Sequence, residues 1–369
     1  MLEISCEAMS NCPKITVIGI GGAGNNAVDR MIDSNMTGVN YLAVNTDFQV
    51  LQACKAEEKV QIGNKLTKGY GAGADPQIGE AAAVEDEENI RQMLEGMDMC
   101  IITCGMGGGT GTGAAPIIAK YCKDSGILTV AVVTTPFSFE NTPRITAAQN
   151  GIEKLKSNVD TLLVISNDKL IKLSEKPLLL ENAFEMADSV LKYSIEGITN
   201  IVNNRGTINL DFNDLRTTLT NKGTGHLGIG TVKADCPVLE AVKQAVNSPL
   251  LDTSIAGAET ILINTSGKIN ITALNEAIGY VRELAGDKVN IIWGTVTQDN
   301  YDNDEIVVTL IATGMSDAES THKNIYKTPE NPPFVHDLNR STVERTVESK
   351  RELVFPEFLQ EYQNRKRKK

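Results

Sequence analysis

The sequence predicts an α/β protein: a parallel sheet covered by helices, then a long helix, then a second, smaller α/β domain. Three observations predict this class. Short apolar, β-branched runs alternate with helical segments over the first part of the chain, a pattern typical of strands buried on both faces. One apolar stripe at spacings of three and four follows, and strand-like runs then alternate with two helices.

The first domain is predicted to be Rossmann-like, with its strands in five apolar runs. These runs are 15–20, 41–44, 99–103, 128–133 and 162–165. Two helix starts place a capping side chain before a proline, at Asp75-Pro76 and at Thr142-Pro143. Both are therefore expected to begin helices that cover the sheet.

The long helix is predicted from about 180 to 203, where it would span roughly 35 Å at 1.5 Å per residue. Its apolar stripe consists of Phe184, Ala187, Leu191, Ile195, Ile198 and Val202. A helix of this length can bridge two domains. The second domain is expected to hold a four-stranded sheet, with strands near 227–232, 260–264, 289–297 and 305–312 and helices near 237–246 and 273–285.

Composition excludes several classes of protein. The 369 residues suit two domains, and the net charge of −12 argues against nucleic-acid binding. No apolar run is long enough to cross a bilayer, and residues 1–13 do not resemble a secretory signal, so a cytoplasmic protein is expected. The basic run at 365–369 is expected to be a solvated tail, with contact to an acidic partner or an anionic membrane as the alternative.

The cysteines are odd in number and scattered, and they are expected to be reduced thiols buried in the core. They are Cys6, Cys12, Cys54, Cys100, Cys104, Cys122 and Cys236. Cys100 and Cys104 lie on one face of a predicted strand, but no second pair supports a zinc site. No metal site built from protein ligands is predicted.

Two glycine-rich segments follow predicted strands. Residues 19–26 match G-x-G-x-x-G, with Asp47 at the end of the second strand, which alone is a weak signal for a dinucleotide site. Residues 105–113 contain six glycines, with hydroxyl donors at Thr110 and Thr112. Helices are expected from Asn25 and Ala114, so that backbone N–H groups surround an anion. The chain has no G-x-x-x-x-G-K-[S/T] motif, so a triphosphate would depend on amides, helix ends and Mg²⁺.

The second segment carries a resemblance to a known family. Residues 107–113 read GGGTGTG and are followed by Ala114-Ala115-Pro116, which resembles the signature loop of the tubulin and FtsZ superfamily in its FtsZ form. The resemblance extends over about residues 14–314. It implies a GTPase that binds GTP and GDP with Mg²⁺ held mainly through the phosphates. It also implies that the chain polymerises head to tail into filaments of the cytokinetic ring, at the division site in the cytoplasm.

The resemblance also implies site residues. The phosphates would be bound by Gly22, Ala23, Gly24, Asn25, Asn26, Gly109, Thr110 and Gly111. Ala23 stands where glycine is usual, which a negative φ would tolerate. Asp75, in the loop 68–76 beside the γ-phosphate, stands where asparagine is common.

Further along the chain, the resemblance implies which residues contact the sugar and the base. Glu140 would contact the ribose and Arg144 the phosphates, while Asn167 would lie near the sugar and base. Phe184 would stack on guanine, and Asp188 would bind the guanine edge. Without the family, Phe184 would be interpreted as a core residue.

An acidic motif follows the long helix. Residues 206–214 resemble the family motif G-x-x-N-x-D-F-x-D, which makes Asn209, Asp211 and Asp214 the expected catalytic residues. Asp211 is also a natural helix cap. Since the long helix separates these acids from Phe184 and Asp188 by roughly 30 Å, they are expected to act on the nucleotide of the next subunit in a filament.

The tail holds an apolar cluster in polar surroundings, Val354, Phe355, Pro356, Phe358 and Leu359. It resembles the family peptide that binds membrane-tethering division proteins, although Gln360 replaces the usual arginine. A local cluster without function is the alternative.

The predicted organisation has six parts: a flexible N-terminus (1–13), a GTP-binding domain (14–180), a central helix (181–203), a C-terminal domain (204–314), a disordered linker (315–351) and a partner-binding tail (352–369). Two other functions remain open. One is a filament scaffold of the same family with weak hydrolysis. The other is a nicotinamide-dependent oxidoreductase, which would leave the second glycine segment and the acidic motif unexplained.

Overall fold

The computed structural model describes residues 13–173, 179–203, 211–248, 254–267, 269–296 and 305–315. These residues form two sheets with helices packed on them. The predictions for Cys6, Cys12, Asn209 and the tail from 316 onward lie outside the described residues. None of the helices in the described part of the chain is long and apolar enough to span a membrane.

The first sheet contains seven strands, and every neighbouring pair is parallel. They are β1 (Ile15–Ile20), β2 (Asn40–Asn45), β3 (Glu58–Gln61), β4 (Met99–Gly105), β5 (Leu128–Thr135), β6 (Thr161–Ser166) and β7 (Gly223–Thr224). Their order across the sheet is β3-β2-β1-β4-β5-β6-β7. Because the strands are parallel, all their carboxyl ends lie at the same edge of the sheet.

Two strands of this sheet were not predicted. β3 reads EKVQ, and only Val60 within it is buried. It is an edge strand, which needs little apolar surface and therefore leaves a weak sequence signal. β7 has only two residues, too few for any periodicity, and it pairs with β6 after the chain has passed through the long helix.

Among the described residues, eight α-helices precede the long helix. They are α1 (Gly21–Asp33), α2 (Phe48–Ala53), α3 (Asn64–Thr67), α4 (Pro76–Glu85), α5 (Glu87–Leu94), α6 (Thr110–Asp124), α7 (Thr142–Lys156) and α8 (Asn167–Leu173). Buried side chains alternate between two cores: Val17 and Ile101 belong to one, and Ile18 and Ile102 belong to the other. Both faces of the sheet are therefore covered, which explains the continuous apolar strands.

The long helix, α9 (Leu180–Asn203), has the predicted bounds. Its residues Ile195 and Ile198 lie in the same core as Leu227 and Ile311 of the second sheet. The helix therefore packs against both sheets and joins them. The apolar stripe is buried from Ala187 to Ile198 but not at its start, where the Phe184 side chain is 41% exposed.

The second sheet has the predicted four strands: β8 (His226–Lys233), β9 (Thr260–Ser266), β10 (Asn290–Val296) and β11 (Glu305–Thr313). Their order is β10-β9-β11-β8, with β9 and β10 parallel and β11 antiparallel to both of its neighbours. Three α-helices follow α9 in the described part of the chain: α10 (Phe212–Leu219), α11 (Val238–Val246) and α12 (Ile271–Ala285). The predicted α/β class is confirmed for both parts of the chain.

One of the two predicted helix caps is correct, and the other is displaced by one residue. The Asp75 carboxylate accepts a hydrogen bond from the Gln77 amide, 2.9 Å away, at the start of α4. In α7 the cap is Asn141, whose Oδ1 accepts from the Arg144 amide at 3.2 Å. Asn141 adopts a φ of 91°, which asparagine tolerates better than threonine does.

The prediction of buried cysteines is correct for four residues and wrong for one. Cys54, Cys100, Cys104 and Cys122 are free and buried. Cys236 is exposed, in the turn between β8 and α11, where its amide donates to the Lys233 carbonyl. A short polar turn offers no apolar surface to cover a thiol.

Two glycines in β8 allow α11 to pack closely, so a methyl group there should destabilise the fold. A Cβ at Gly228 would overlap the carbonyl oxygen of Ala245 in α11. We expect Gly228→Ala to reduce the free energy of unfolding by roughly 1–3 kcal/mol. Gly279→Ala is the matched control, because a Cβ there meets no atom within 4 Å and alanine favours the helix by about 1 kcal/mol. The midpoint of thermal unfolding should therefore fall in Gly228→Ala and rise in Gly279→Ala. Equal shifts in the two variants would contradict the packing argument.

Candidate nucleotide-binding site

The two glycine segments come together at the carboxyl edge of the first sheet. β1 and β4 are neighbours, and the segments 19–26 and 105–113 continue from their carboxyl ends. A Cβ at Gly21 would lie 3.0 Å from the Gly111 amide nitrogen. The hydroxyls of Thr46 and Thr110 are 2.7 Å apart, which brings the end of β2 to the same place.

Both helices start earlier than predicted. α1 begins at Gly21 rather than Asn25, and α6 begins at Thr110 rather than Ala114. Neither start has a side-chain cap, so side chains do not satisfy the amides of the two first turns. Two helix ends with partial positive charge therefore point to the same edge, as phosphate binding requires.

Most glycines of these segments are required by close packing within the protein. A Cβ at Gly24 would overlap the Thr103 carbonyl oxygen, and one at Gly113 would overlap the Pro76 carbonyl oxygen. A Cβ at Gly109 would lie 2.8 Å from the Ala72 side chain. From the sequence, phosphate binding alone explains these glycines. The structure adds close packing within the protein as a second reason.

Close packing does not explain the glycines at Gly22 and Gly108. A Cβ at either residue would meet no atom within 4 Å, and neither is among the glycines with positive φ in the described part of the chain. Among the residues that the structure describes, nothing requires Gly22 and Gly108 to lack a side chain. A ligand that approaches the backbone closely would require these positions to lack a side chain. The residues present therefore fit a phosphate group.

Asn25 shapes the first loop through its side chain. Its Nδ2 donates to the Gly19 carbonyl at 2.9 Å, and its Oδ1 accepts from Asn45 Nδ2 at 2.7 Å. The side-chain amide of Asn25 is therefore used within the protein, and its backbone N–H lies in the second turn of α1, beyond the free amides of the first turn. Ala23 lies inside α1, where φ is negative, so the methyl group causes no backbone strain. Asn26 is exposed beside it.

Glu140 and Arg144 form an ion pair beside the second glycine segment. Arg144 Nη1 lies 2.7 Å from Glu140 Oε2, and the Phe137 amide donates to Glu140 Oε1 at 2.9 Å. The Glu140 side chain is 8% exposed and that of Arg144 is 47% exposed. A Cβ at Gly107 would lie 2.8 Å from the Arg144 carbonyl oxygen, so this pair adjoins the 105–113 segment.

An aromatic cluster lies at the start of α9. Phe137 is buried, with its ring 5.2 Å from Phe184 in an edge-on arrangement and 5.1 Å from Phe139 in a stacked one. Phe139 and Phe184 are 56% and 41% exposed. Phe184 is thus held in place by Phe137 while part of its ring remains open to a planar ligand.

Asp188 lies one turn after Phe184 and pairs with Arg30 of α1, whose Nε is 3.0 Å from Asp188 Oδ2. Burial raises the pKa of Asp188, an effect that the Arg30 charge and hydrogen bond oppose and that Glu185 increases. Sequence reasoning did not single out Arg30. It lies 158 residues from Asp188 and belongs to no motif, so nothing in the sequence marks it.

Asn167 has a buried oxygen without a partner. It stands where β6 ends and α8 begins, is 5% exposed, and its Oδ1 accepts no hydrogen bond within the described part of the chain. A buried acceptor left in this state costs about 1–3 kcal/mol. A donor on a ligand, such as a sugar hydroxyl, would satisfy it.

The acids lie toward the opposite edge of the first sheet. Asp211 and Asp214 cap α10 reciprocally, with amide-to-carboxylate distances of 2.9 and 3.1 Å. Arg216 of α10 donates to the Gly126 carbonyl, just before β5, and the Leu219 carbonyl accepts from the Thr161 hydroxyl, where β6 begins. Since α10 packs at the amino ends of the strands, its acids are separated from the glycine segments of the same chain.

Comparisons with known proteins agree with this arrangement. The model of the Tubulin/FtsZ family, GTPase domain, matches residues 14–175, and that of the FtsZ family, C-terminal domain, matches 223–316. An empty FtsZ dimer from M. jannaschii is 42% identical, with 82% of this chain and 88% of that chain covered and a TM-score of 0.76. The chain belongs to the FtsZ family. A mutant FtsZ from M. jannaschii is also 42% identical, with coverages of 82% and 91% and a TM-score of 0.77.

More distant relatives of this FtsZ-family chain share its fold. CetZ1 from Haloferax volcanii, solved as a GDP-bound monomer, is 22% identical, with 82% of this chain and 95% of that chain covered and a TM-score of 0.72. The FtsZ-family GTPase domain implies a GTP hydrolase that binds GTP and GDP. Asp47, at the end of β2, caps α2: its Oδ1 accepts from the Gln49 and Val50 amides.

The open backbone at Gly22 predicts that a methyl group there will affect the ligand and not the fold. We expect Gly22→Ala to leave the unfolding midpoint unchanged or slightly raised, since alanine favours a helix, while GTP affinity falls at least tenfold. Gly24→Ala is the comparison, because its Cβ would overlap Thr103 and should destabilise the protein without any nucleotide. Calorimetric binding and thermal unfolding measure the two effects. Normal GTP affinity in Gly22→Ala would show that phosphates do not approach this residue.

Proposed function

We propose that this chain hydrolyses GTP at an interface between two copies and polymerises head to tail into the filaments of the cytokinetic ring. The observation that carries the proposal is the position of two groups of residues at opposite edges of one sheet. The glycine segments leave its carboxyl edge, while α10 and its acids pack at its amino edge. Strand β5, with 8 residues, spans about 26 Å between these edges.

Exposed apolar side chains support an interface at the carboxyl edge. Segments that follow the carboxyl ends of the strands carry Phe48, Leu66, Tyr70, Phe139, Leu179 and Leu180, all at least 49% exposed. Exposed clusters of large apolar residues are typical of protein–protein contacts. A contact between unlike ends of identical subunits does not close on itself and therefore produces an open filament. The FtsZ relative from M. jannaschii was solved as a dimer and a CetZ2 relative as a protofilament.

Each residue has a proposed role in this reaction. The residues around the phosphates are Gly22, Ala23, Gly24, Asn25, Asn26, Gly109, Thr110 and Gly111, with Arg144 beside them. The first-turn amides of α1 and α6 supply the hydrogen bonds to the phosphates. Glu140 and Asn167 contact the sugar, Phe184 stacks on guanine, and Asp188 accepts hydrogen bonds from its edge. Mg²⁺ would be held mainly through the phosphates, and it would supply positive charge that stabilises the oxygens of the transferred phosphoryl group.

The acids of a second copy complete the site. Asp211 and Asp214 polarise and orient the attacking water at the γ-phosphate, and Asn209 helps to position them. The cap of α10 uses one oxygen of each carboxylate, so each acid retains a second oxygen that can accept from water. Helix capping and catalysis are therefore compatible.

The cellular part of the proposal follows from the family. The filaments would act in the cytoplasm at the division site, where the segment with Val354, Phe355, Pro356, Phe358 and Leu359 would bind membrane-tethering proteins. We also propose the organisation of the sequence analysis, with residues 14–180 for nucleotide binding, 181–203 as the central helix and 204–314 as the activating domain. The linker (315–351) would connect these to the tail (352–369).

Replacing Asp211 should separate catalysis from capping. Asparagine is an equally good cap, so we expect Asp211→Asn to keep the stability and GTP affinity of the parent while GTP turnover falls at least a hundredfold. Asp211→Ala should lose turnover and also about 1 kcal/mol of stability. Phosphate release, measured across protein concentrations, tests both.

A mixing experiment tests action between copies. Asp211→Asn, which still binds GTP, is combined with a Gly22→Ala variant that binds GTP weakly but keeps its acids. Turnover above the sum of the two separate samples would support the shared site. Equal turnover per molecule in dilute and concentrated parent protein would contradict it, and slow turnover at every concentration would favour a scaffold with weak hydrolysis.

Deletion of the tail tests the partner assignment. A chain that ends at residue 351 should keep GTP turnover and assembly, because the residues proposed for both lie before 315. It should fail to localise to the membrane with the division machinery. A charge-matched control replaces Phe355 and Leu359 by alanine and keeps the basic run 365–369. Normal localisation of the deleted chain would show that another segment provides the tether.

A further inference from the structure

Arg30 connects the two ends of the proposed nucleotide site. It lies in α1, eight residues after Gly22, or about 12 Å along the helix. Its guanidinium reaches α9 and donates from Nε to Asp188 Oδ2 at 3.0 Å. The helix that begins at the phosphate loop thus also holds the side chain proposed to bind the base.

The surroundings of Asp188 disfavour its charged form, and the contact with Arg30 favours that form. The side chain is only 13% exposed, and burial raises the pKa of Asp188, as does the nearby Glu185. Arg30 opposes both effects through its charge and its hydrogen bond. Within the described part of the chain, these are the charged groups that act on Asp188, one from α1 and one from its own helix.

Guanine recognition makes both the charge and the orientation of this carboxylate important. The edge of guanine presents two donors, N1–H and the N2 amino group, so its partner must be an acceptor. An ionised carboxylate only accepts, whereas a protonated one presents a donor that would oppose those of the base. The Nε contact also limits rotation of the carboxylate, because an arginine–carboxylate hydrogen bond is directional.

We propose that Arg30 is a positioning residue for base selection: it holds the Asp188 carboxylate in the ionised state and orientation that the guanine edge requires. Arg30 itself does not touch the base. The inference rests on the proposed function, in which Asp188 binds guanine, and adds a residue that no motif indicates. By this inference, α1 links the binding of the phosphates to the selection of the base.

A second ion pair on the same helix provides a matched control. Lys55 Nζ and Asp33 Oδ1 of α1 are 2.5 Å apart, but their side chains are 51% and 58% exposed. An exposed pair contributes little to stability and lies outside the proposed nucleotide site. Replacing Lys55 therefore removes a cation near α1, as replacing Arg30 does, but it should leave the preference for GTP unchanged.

The test compares GTP with inosine triphosphate, which lacks the N2 amino group. The full chain is kept below its assembly concentration, and each unlabelled nucleotide competes with a labelled GTP analogue. The variants are Arg30→Met, Arg30→Lys, Asp188→Asn, the double variant Arg30→Met/Asp188→Asn and Lys55→Met. Thermal unfolding without nucleotide is measured for each of them.

We expect Arg30→Met to weaken GTP binding about tenfold to a hundredfold and inosine triphosphate binding less, so that the preference for GTP falls toward that of Asp188→Asn. Arg30→Lys keeps the charge and should recover part of the preference. The double variant should be no worse than Asp188→Asn alone, because both changes disable the same contact. Lys55→Met should match the parent.

The outcomes separate the inference from the proposed function. If Asp188→Asn loses the preference for GTP but Arg30→Met keeps it, the role of Arg30 is wrong and the base contact stands. If Arg30→Met weakens both nucleotides equally and lowers the unfolding midpoint, Arg30 is a structural residue and the inference is also wrong. If Asp188→Asn keeps the preference, the assignment of Asp188 to guanine fails, and the inference fails with it.

Discussion

The parallel pairing of β1 with β4 is the constraint on which the nucleotide site depends. In their register Gly19 lies opposite Thr103, so both strands end together at the centre of the sheet. The glycine segments that follow are therefore neighbours, although residues 27–104 separate them in the sequence. Burial on both faces of the sheet holds this register, because a shift by one residue would exchange the two cores.

Close backbone packing brings the helix ends to this edge. Gly109 and Gly113 at the start of α6 leave room for the segment that begins α4, and Gly24 lets α1 approach the end of β4. Glycine at these positions supports the fold itself. Gly22 and Gly108 are different, because open space surrounds them. The glycines of these segments thus serve two purposes: some allow close packing, and others leave the backbone open to a ligand. The atoms around each glycine show which purpose applies.

The separation of the two edges explains why a single copy is an incomplete enzyme under the proposed function. α9 packs against both sheets and holds their relative positions, while the bonds of Arg216 and Leu219 hold α10 at the amino edge. In this arrangement the acids of one copy lie at the edge of the sheet opposite to its own glycine segments. The exposed apolar residues at the carboxyl edge, among them Tyr70 at 85% exposure, are a surface that a second copy would cover.

The sequence by itself determined the α/β class, the bounds of α9, the four strands of the second sheet and the two glycine segments, because each has a strong local pattern. Tertiary structure decided the rest. The edge strands β3 and β7 exist because a neighbour pairs with them, and the α7 cap depends on the backbone of Asn141. Cys236 is exposed because its turn has no cover, and Arg30 meets Asp188 only because α1 packs on α9. Local patterns report propensity and periodicity, whereas contacts between distant segments follow from how the whole chain packs.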